Sequence, residues 1–120
     1  MSRDPRKLRV FGVADSLVTD VYSLSANFPA SERFGLQSQL RRAALSAAAN
    51  IVEGSARRTS REYLHFINIA AASAAEARYL VQIAARLDLL SESDSTRLVT
   101  GYTEVAGGLH ALLHALSPKP

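Results

Sequence analysis

The 120-residue sequence predicts an all-α protein, an antiparallel up-down-up-down bundle of four helices in one domain spanning residues 1–120. Three observations carry that expectation. Apolar residues recur at threes and fours in four separate segments, and no period-2 run survives as a strand. Each segment is bounded by proline, glycine or a Ser/Thr cap. The connections are short, which makes sequential helices antiparallel neighbours.

The first helix, about residues 9–27, carries Val10, Ala14, Leu17, Val21, Leu24 and Phe28 on one stripe. "NFPASE" interrupts it, and Ser31 is placed to cap a second helix over about 32–54. That helix sets Leu36, Leu40, Ala43, Ala44, Ala47 and Ile51 on one arc and closes at Gly54. "Thr59-Ser60-Arg61-Glu62" reads as a capping box. It opens a third helix, about 60–87, with Tyr63, Phe66, Ile67, Ala70, Ala74, Ala77, Val81 and Ala84 inward. After "LDLLSESD", Ser91 or Ser93 caps a fourth helix, about 92–116. Its stripe of Leu98, Tyr102, Val105, Leu109, Leu112 and Leu116 has a near-3.5 period that favours coiled-coil-like crossing. Gly101, Gly107 and Gly108 loosen this helix, each costing up to about 1 kcal/mol relative to alanine unless close packing needs it. "SPKP" reads as a frayed tail.

Composition narrows the function classes. Nearly half the residues are apolar, enough for one core. With no cysteine there is no disulfide, thiolate metal site or cysteine nucleophile. "MSRDPRKLRV" has no apolar stretch behind its charges, and no window approaches a membrane span, so a cytoplasmic protein without membrane contact is expected. The net charge of +3 is unevenly spread. Residues 33–61 hold Arg33, Arg41, Arg42, Arg57, Arg58 and Arg61 against Glu53 alone. Twelve of the fourteen cations are arginine, the residue suited to bidentate phosphate and carboxylate contacts.

The second helix carries a second apolar face, with Leu45, Ala48 and Val52 in line with Arg41 and a polar strip of Gln39, Arg42, Ser46 and Glu53 between. On the third helix Ile69, Leu80, Ile83 and Leu87 lie off the core stripe. A helix apolar on two sides is buried on two sides. A bundle of this size has no second layer to cover them, so self-association is expected.

"KLRVF", "FPASERFGLQSQLRRAALSAAANIVEGSARRTSREYLHFINIA" and "LLSESD" resemble the four-helix-bundle family of proteins encoded in intervening sequences of bacterial 23S ribosomal RNA genes. An accessory protein of diversity-generating retroelements is similar in fold and motif. The resemblance runs from about Lys7 to Leu116. It implies a homopentameric ring, association with RNA or DNA and, in the retroelement branch, a reverse transcriptase as partner. It implies no known enzymatic activity. The chain departs from the family's third-helix pattern, an Arg-Gly-Ser run followed by Glu-x-Glu, where it has Ala71, Ala72 and Ser73, then Glu76 and Arg78.

Candidate sites follow. Glu76 shares a stripe with Ile69, Leu80 and Ile83, so partial burial is expected, with Arg42 as its ion-pair partner within one subunit or across an interface. No second carboxylate or histidine in register supports acid–base catalysis by Glu76. His110 and His114 stand four apart without a third ligand, and His65 is alone, so no metal site or cofactor is expected. Ser46 and Ser73 read as small mid-helix residues, and Asn50 and Gly54 as a helix corner, with Gly54 in a left-handed turn. Arg41, Arg57, Arg58 and Arg61 form the candidate nucleic-acid surface, the last three crowding a helix start. Two function classes stay open: a nucleic-acid-binding protein acting through arginine–phosphate contacts, and an interaction scaffold whose arginines meet an acidic partner.

Overall fold

The computed structural model describes residues 4–117, and the "SPKP" tail lies almost wholly outside them. Four helices occupy the chain: α1 Arg9–Ser25, α2 Leu36–Ser55, α3 Ser60–Arg86 and α4 Glu92–Leu116, with 3-10 turns at Pro5–Lys7 and Ala30–Glu32. There is no strand among the described residues. The body measures 45 × 24 × 21 Å. Helix α2 packs on α1 and α3, and α4 packs on α3 and α1, while the diagonal pairs do not touch. The helices therefore stand at the corners of a square around one core.

The predicted stripes supply most of the core, with Val10, Leu24, Leu112 and Leu116 only partly buried against it and Phe66 outside it. Ala14, Leu17 and Val21 of α1 meet Leu40, Ala44, Ala47 and Ile51 of α2, Ile67, Ala70, Ala74 and Val81 of α3, and Leu98, Tyr102, Val105 and Leu109 of α4 in one buried cluster. Alanine dominates the α2 and α3 contributions, so these two helices approach closely. The Tyr102 hydroxyl is buried without a hydrogen-bond partner, and burial, then the Asp20 charge, pushes its ionisation well above the ordinary tyrosine range.

Local chemistry sets the ends. Thr59 accepts from the Glu62 N–H at 3.1 Å and donates to the Glu62 carboxylate at 3.0 Å. Ser91, not Ser93, caps α4 by accepting from the Asp94 N–H at 3.0 Å. Arg97 then ties that first turn to Asp94 at 2.8 Å and to Asp20 of α1 at 3.0 Å. The Arg97 guanidinium, followed by the Ser91 hydroxyl, holds the Asp94 carboxyl below its usual range. A lowered carboxyl stabilises the fold at neutral pH and stops doing so as pH falls through its folded value.

Three boundary expectations need correction. Helix α1 ends at Ser25 and α2 begins at Leu36, because residues 30–32 form a 3-10 turn and Ser31 makes no cap bond. The Glu32 carboxylate, four residues back, accepts from the Leu36 N–H instead, at 3.1 Å. Gly54 is not in a left-handed turn. It lies inside α2, buried, and among the described residues the positive φ falls at Asp88, between α3 and α4. Gly54 is needed for close approach, since a Cβ there would stand 3.0 Å from Phe66 Cβ and 3.2 Å from the Tyr63 carbonyl.

The second apolar faces are narrower than expected. Leu45 and Val52 are about half exposed, at 49% and 47%, but Ala48 is buried in the core. On α3, Leu80 is buried and Ile83 partly so, leaving Leu87 exposed. Ala48 and Leu80 flank helices packed tightly enough that residues at the edge of each arc are already covered.

The glycines give opposed expectations. Gly54→Ala lowers unfolding free energy by about 1–3 kcal/mol, through overpacking against backbone and Cβ. Gly107, with nothing within 4 Å of its Cβ position, gains about 0.5–1 kcal/mol on change to alanine. Urea melts of the two variants measure both.

Candidate nucleic-acid interface and the polar notch

The turn from α2 to α3 places Arg57, Arg58 and Arg61 within five residues. Each has a different environment. Arg57 forms an ion pair with Glu53 one turn back, and its guanidinium lies 4.7 Å from the centre of the Phe66 ring. It is half-buried and fixed to the body. Arg58 and Arg61 are exposed and enter none of the ion pairs among the described residues. They stand at the last residue before the Thr59 cap and in the first turn of α3. The free N–H groups there add positive potential, while Glu62 subtracts from it.

Arg41 belongs to a different structure. Its Nε donates to Ser25 Oγ at 2.8 Å, its Nη2 to the Tyr22 carbonyl at 3.0 Å, and its guanidinium lies 4.6 Å from the Tyr22 ring centre. Gln37 donates to the Ser25 carbonyl at 2.8 Å. Together they add side-chain bonds at the end of α1, where the Tyr22 and Ser25 carbonyls also accept from the Ala26 and Phe28 N–H groups. The expectation that Arg41 joins the anion surface is corrected: its fork is committed to the α1 terminus.

The polar strip of α2 faces α3 across a notch of about 340 Å3 lined by Gln39, Arg42, Ala43, Ser46, Ser73 and Glu76. The structure brings Arg42 and Glu76 to one notch but not into an ion pair, and both are exposed. Partial burial of Glu76 is thus corrected, because the small residues between the two helices leave the notch open to water. Ser46 and Ser73 are more than space-savers, since their hydroxyls hydrogen-bond at 2.8 Å. Asn50 is not at a corner. Its Nδ2 donates to the Ser46 carbonyl and hydroxyl, at 2.9 and 3.0 Å. An amide that donates into the Ser46 oxygen leaves the Ser46 hydrogen for Ser73. The sequence signal for this bridge was present, two mid-helix serines on facing helices with an amide one turn away, but pairing them requires the register of α2 on α3.

Two outlying sites are simpler. His65, His110 and His114 are exposed, and no three metal-ligating side chains converge among the described residues. Sequence reasoning missed Phe34, which is 88% exposed with the Arg33 guanidinium 5.5 Å from its ring centre.

These geometries separate the arginines by stability. Arg41→Met, which keeps the aliphatic stem, removes the two guanidinium hydrogen bonds at the α1 terminus and lowers unfolding free energy by about 1–3 kcal/mol. Arg42→Ala and Glu76→Ala each change it by less than about 0.5 kcal/mol at a monomeric concentration, and the double variant is additive. Guanidinium melts of the four proteins decide both statements.

A crystal structure from Bacteroides thetaiotaomicron VPI-5482, of a protein with unknown function from the S23 ribosomal protein family, is similar in fold, with a TM-score of 0.80 at 19% sequence identity, covering 88% of this chain and 95% of that chain. No curated protein matches the sequence. The family model described as 23S rRNA-intervening sequence protein matches residues 6–111, nearly the whole chain. The chain belongs to the 23S rRNA-intervening sequence protein family.

Proposed function

We propose that this protein is a non-enzymatic homo-oligomeric bundle that binds structured RNA or DNA through arginine–phosphate contacts. The observation that carries the reading is the pair Arg58 and Arg61, exposed and without an acidic partner beside the N-terminus of a 27-residue helix. Guanidinium groups and open helix N–H groups are the usual phosphate contacts and carry no sequence information. Arg57 contributes charge from a fixed position, while Arg41 contributes none of its donors.

Assembly multiplies this patch. Two cations per subunit bind a phosphate chain weakly, but repeated around a ring they engage a long polyanion at once. The ring reading rests on Leu45 and Val52, exposed on one side of α2, and the resemblance makes the pentamer its preferred form. The alternating up-down course of the helices is supported by Arg9 of α1 reaching Glu104 of α4, while Arg97 reaches Asp20. In the ring, the unpaired Arg42 and Glu76 are available to charges on a neighbouring subunit. A cytoplasmic setting fits, since no helix of the described residues is long and apolar enough to cross a membrane.

The alternative is a scaffold for an acidic protein partner, such as a reverse transcriptase in a retroelement complex, without direct nucleic-acid contact. Its specific support is the mixed character of the turn, where Glu53 and Glu62 already engage Arg57 and Thr59 as they would at a protein interface.

Fluorescence anisotropy with labelled structured RNA and duplex DNA separates the two. The nucleic-acid reading expects log affinity to fall linearly with log salt, and Arg58→Ala with Arg61→Ala to flatten the duplex-DNA slope by about 0.9 for each phosphate no longer neutralised, with the oligomer unchanged. Binding no tighter than about 100 μM at low salt, weaker than ordinary non-specific association, discards it in favour of the scaffold.

A further inference from the structure

Among the described residues, the most exposed large apolar side chain is Phe34, at 88%. It is not on a loose loop. The 3-10 turn Ala30–Glu32 precedes it and α2 begins two residues after it, with the Glu32 carboxylate bonded to the Leu36 N–H at 3.1 Å. Arg33 lies against its ring. Arg33 and Phe34 thus project as one cationic–aromatic knob whose ring is open to a partner.

A matching groove exists on the same protein. Between α3 and α4 a concavity of about 590 Å3 is lined by Gln82, Ala85, Arg86, Thr96, Val99 and Thr100, with the short side chains of Ala85 and the two threonines making the depth. The turn at its end carries Asp88 and Glu92, both exposed and outside the ion pairs among the described residues. An aromatic ring suits the apolar part of the floor, and an arginine beside the ring suits Asp88 and Glu92, whose two charges outnumber the one of Arg86 in the lining. A nucleic acid suits Phe34 less well as occupant, because Glu32 stands beside it.

Knob and groove are also placed for a head-to-tail contact. The α1–α2 connection and the α3–α4 groove lie on different edges of the square of helices, so one subunit can engage a neighbour through each. They lie at one level along the bundle. Gln37 and Arg41 join the start of α2 to the end of α1, and Arg97 joins the start of α4 to Asp20, near that same end. A head-to-tail contact between surfaces at one level adds little climb along the bundle axis, and it closes into a ring where the rotation between neighbours divides a full turn.

We infer that the α3–α4 groove receives the Arg33–Phe34 knob of a second copy of this chain, making the subunit contact heterologous. The inference deepens the assembly half of the proposed function and rests on it. Light scattering after size exclusion tests it with two surface variants, Phe34→Glu, which removes the knob, and Ala85→Trp, which fills the groove, each checked for native helicity by circular dichroism. The expected result is that wild type is a closed oligomer, each variant alone is monomeric at 10 μM, and a 1:1 mixture forms a heterodimer through its one intact knob–groove contact. A wild-type monomer overturns the assembly reading itself. A wild-type oligomer with either variant still fully assembled, or two monomeric variants that do not pair on mixing, overturns only this inference. Loss of RNA binding by an assembled Phe34→Glu variant reassigns the knob to nucleic acid and overturns it equally.

Discussion

Close contact of α2 with α3 through small side chains is the constraint from which the other features follow. The buried residues of α2 between Leu40 and Ile51 are all alanine, Ala43, Ala44, Ala47 and Ala48, and α3 buries Ala70, Ala71, Ala74 and Ala77 in the same core. Gly54 ends the series where Phe66 and the Tyr63 backbone press in. Alanine loses no side-chain entropy on burial and packs well in a helix, but it fills little volume. Stability must come from backbones brought near each other, so neither helix tolerates bulk on that seam. The same economy leaves the notch above Ser46 and Ser73, where two hydroxyls meet at 2.8 Å because nothing larger separates them.

The closeness of the pair also decides what each arginine is free to do. Arg57 leaves α2 where α3 arrives, so it finds Glu53 and the face of Phe66 within reach and is fixed. One residue on, Arg58 is in the turn, and Arg61 points out from the first turn of α3, beyond the acids. At the other end of α2, Arg41 meets the Tyr22 carbonyl and the Ser25 hydroxyl and ties α2 to the end of α1. Of the six arginines in the basic segment, Arg41 and Arg57 hold the fold, Arg33 lies against Phe34, Arg42 lines the notch, and Arg58 and Arg61 remain for a ligand. That division, rather than the net charge, supports a modest patch made useful by repetition.

Much of this was legible in the residues alone. The four stripes become the core because period-3.6 patterning reports which side of a helix is buried, whatever its neighbours are. The Thr59 cap is equally local. Helix ends that depend on a side chain reaching from outside the local pattern were not legible: Glu32, rather than Ser31, bonds the first N–H of α2. Registration between helices was also hidden. Without it, Arg41 reads as a surface cation, Asn50 as a corner and Ser46 as filler, and Glu76 is assigned an Arg42 ion pair that does not form within the subunit. Phe34 escaped notice because it belongs to no stripe, and exposure is a property of three-dimensional surroundings.

The register and proximity of α2 and α3 can be tested by chemistry the chain itself lacks. It has no cysteine, so Ser46→Cys with Ser73→Cys introduces the only two thiols. Hydroxyls 2.8 Å apart place these positions within reach of disulfide geometry. Under mild oxidation in the folded state the account predicts a rapid intramolecular bond, unchanged helicity and a gain of about 3 kcal/mol on closing the 27-residue span. Thiols that stay free, or that link only between chains, would contradict the small-residue seam on which the rest of the structure depends.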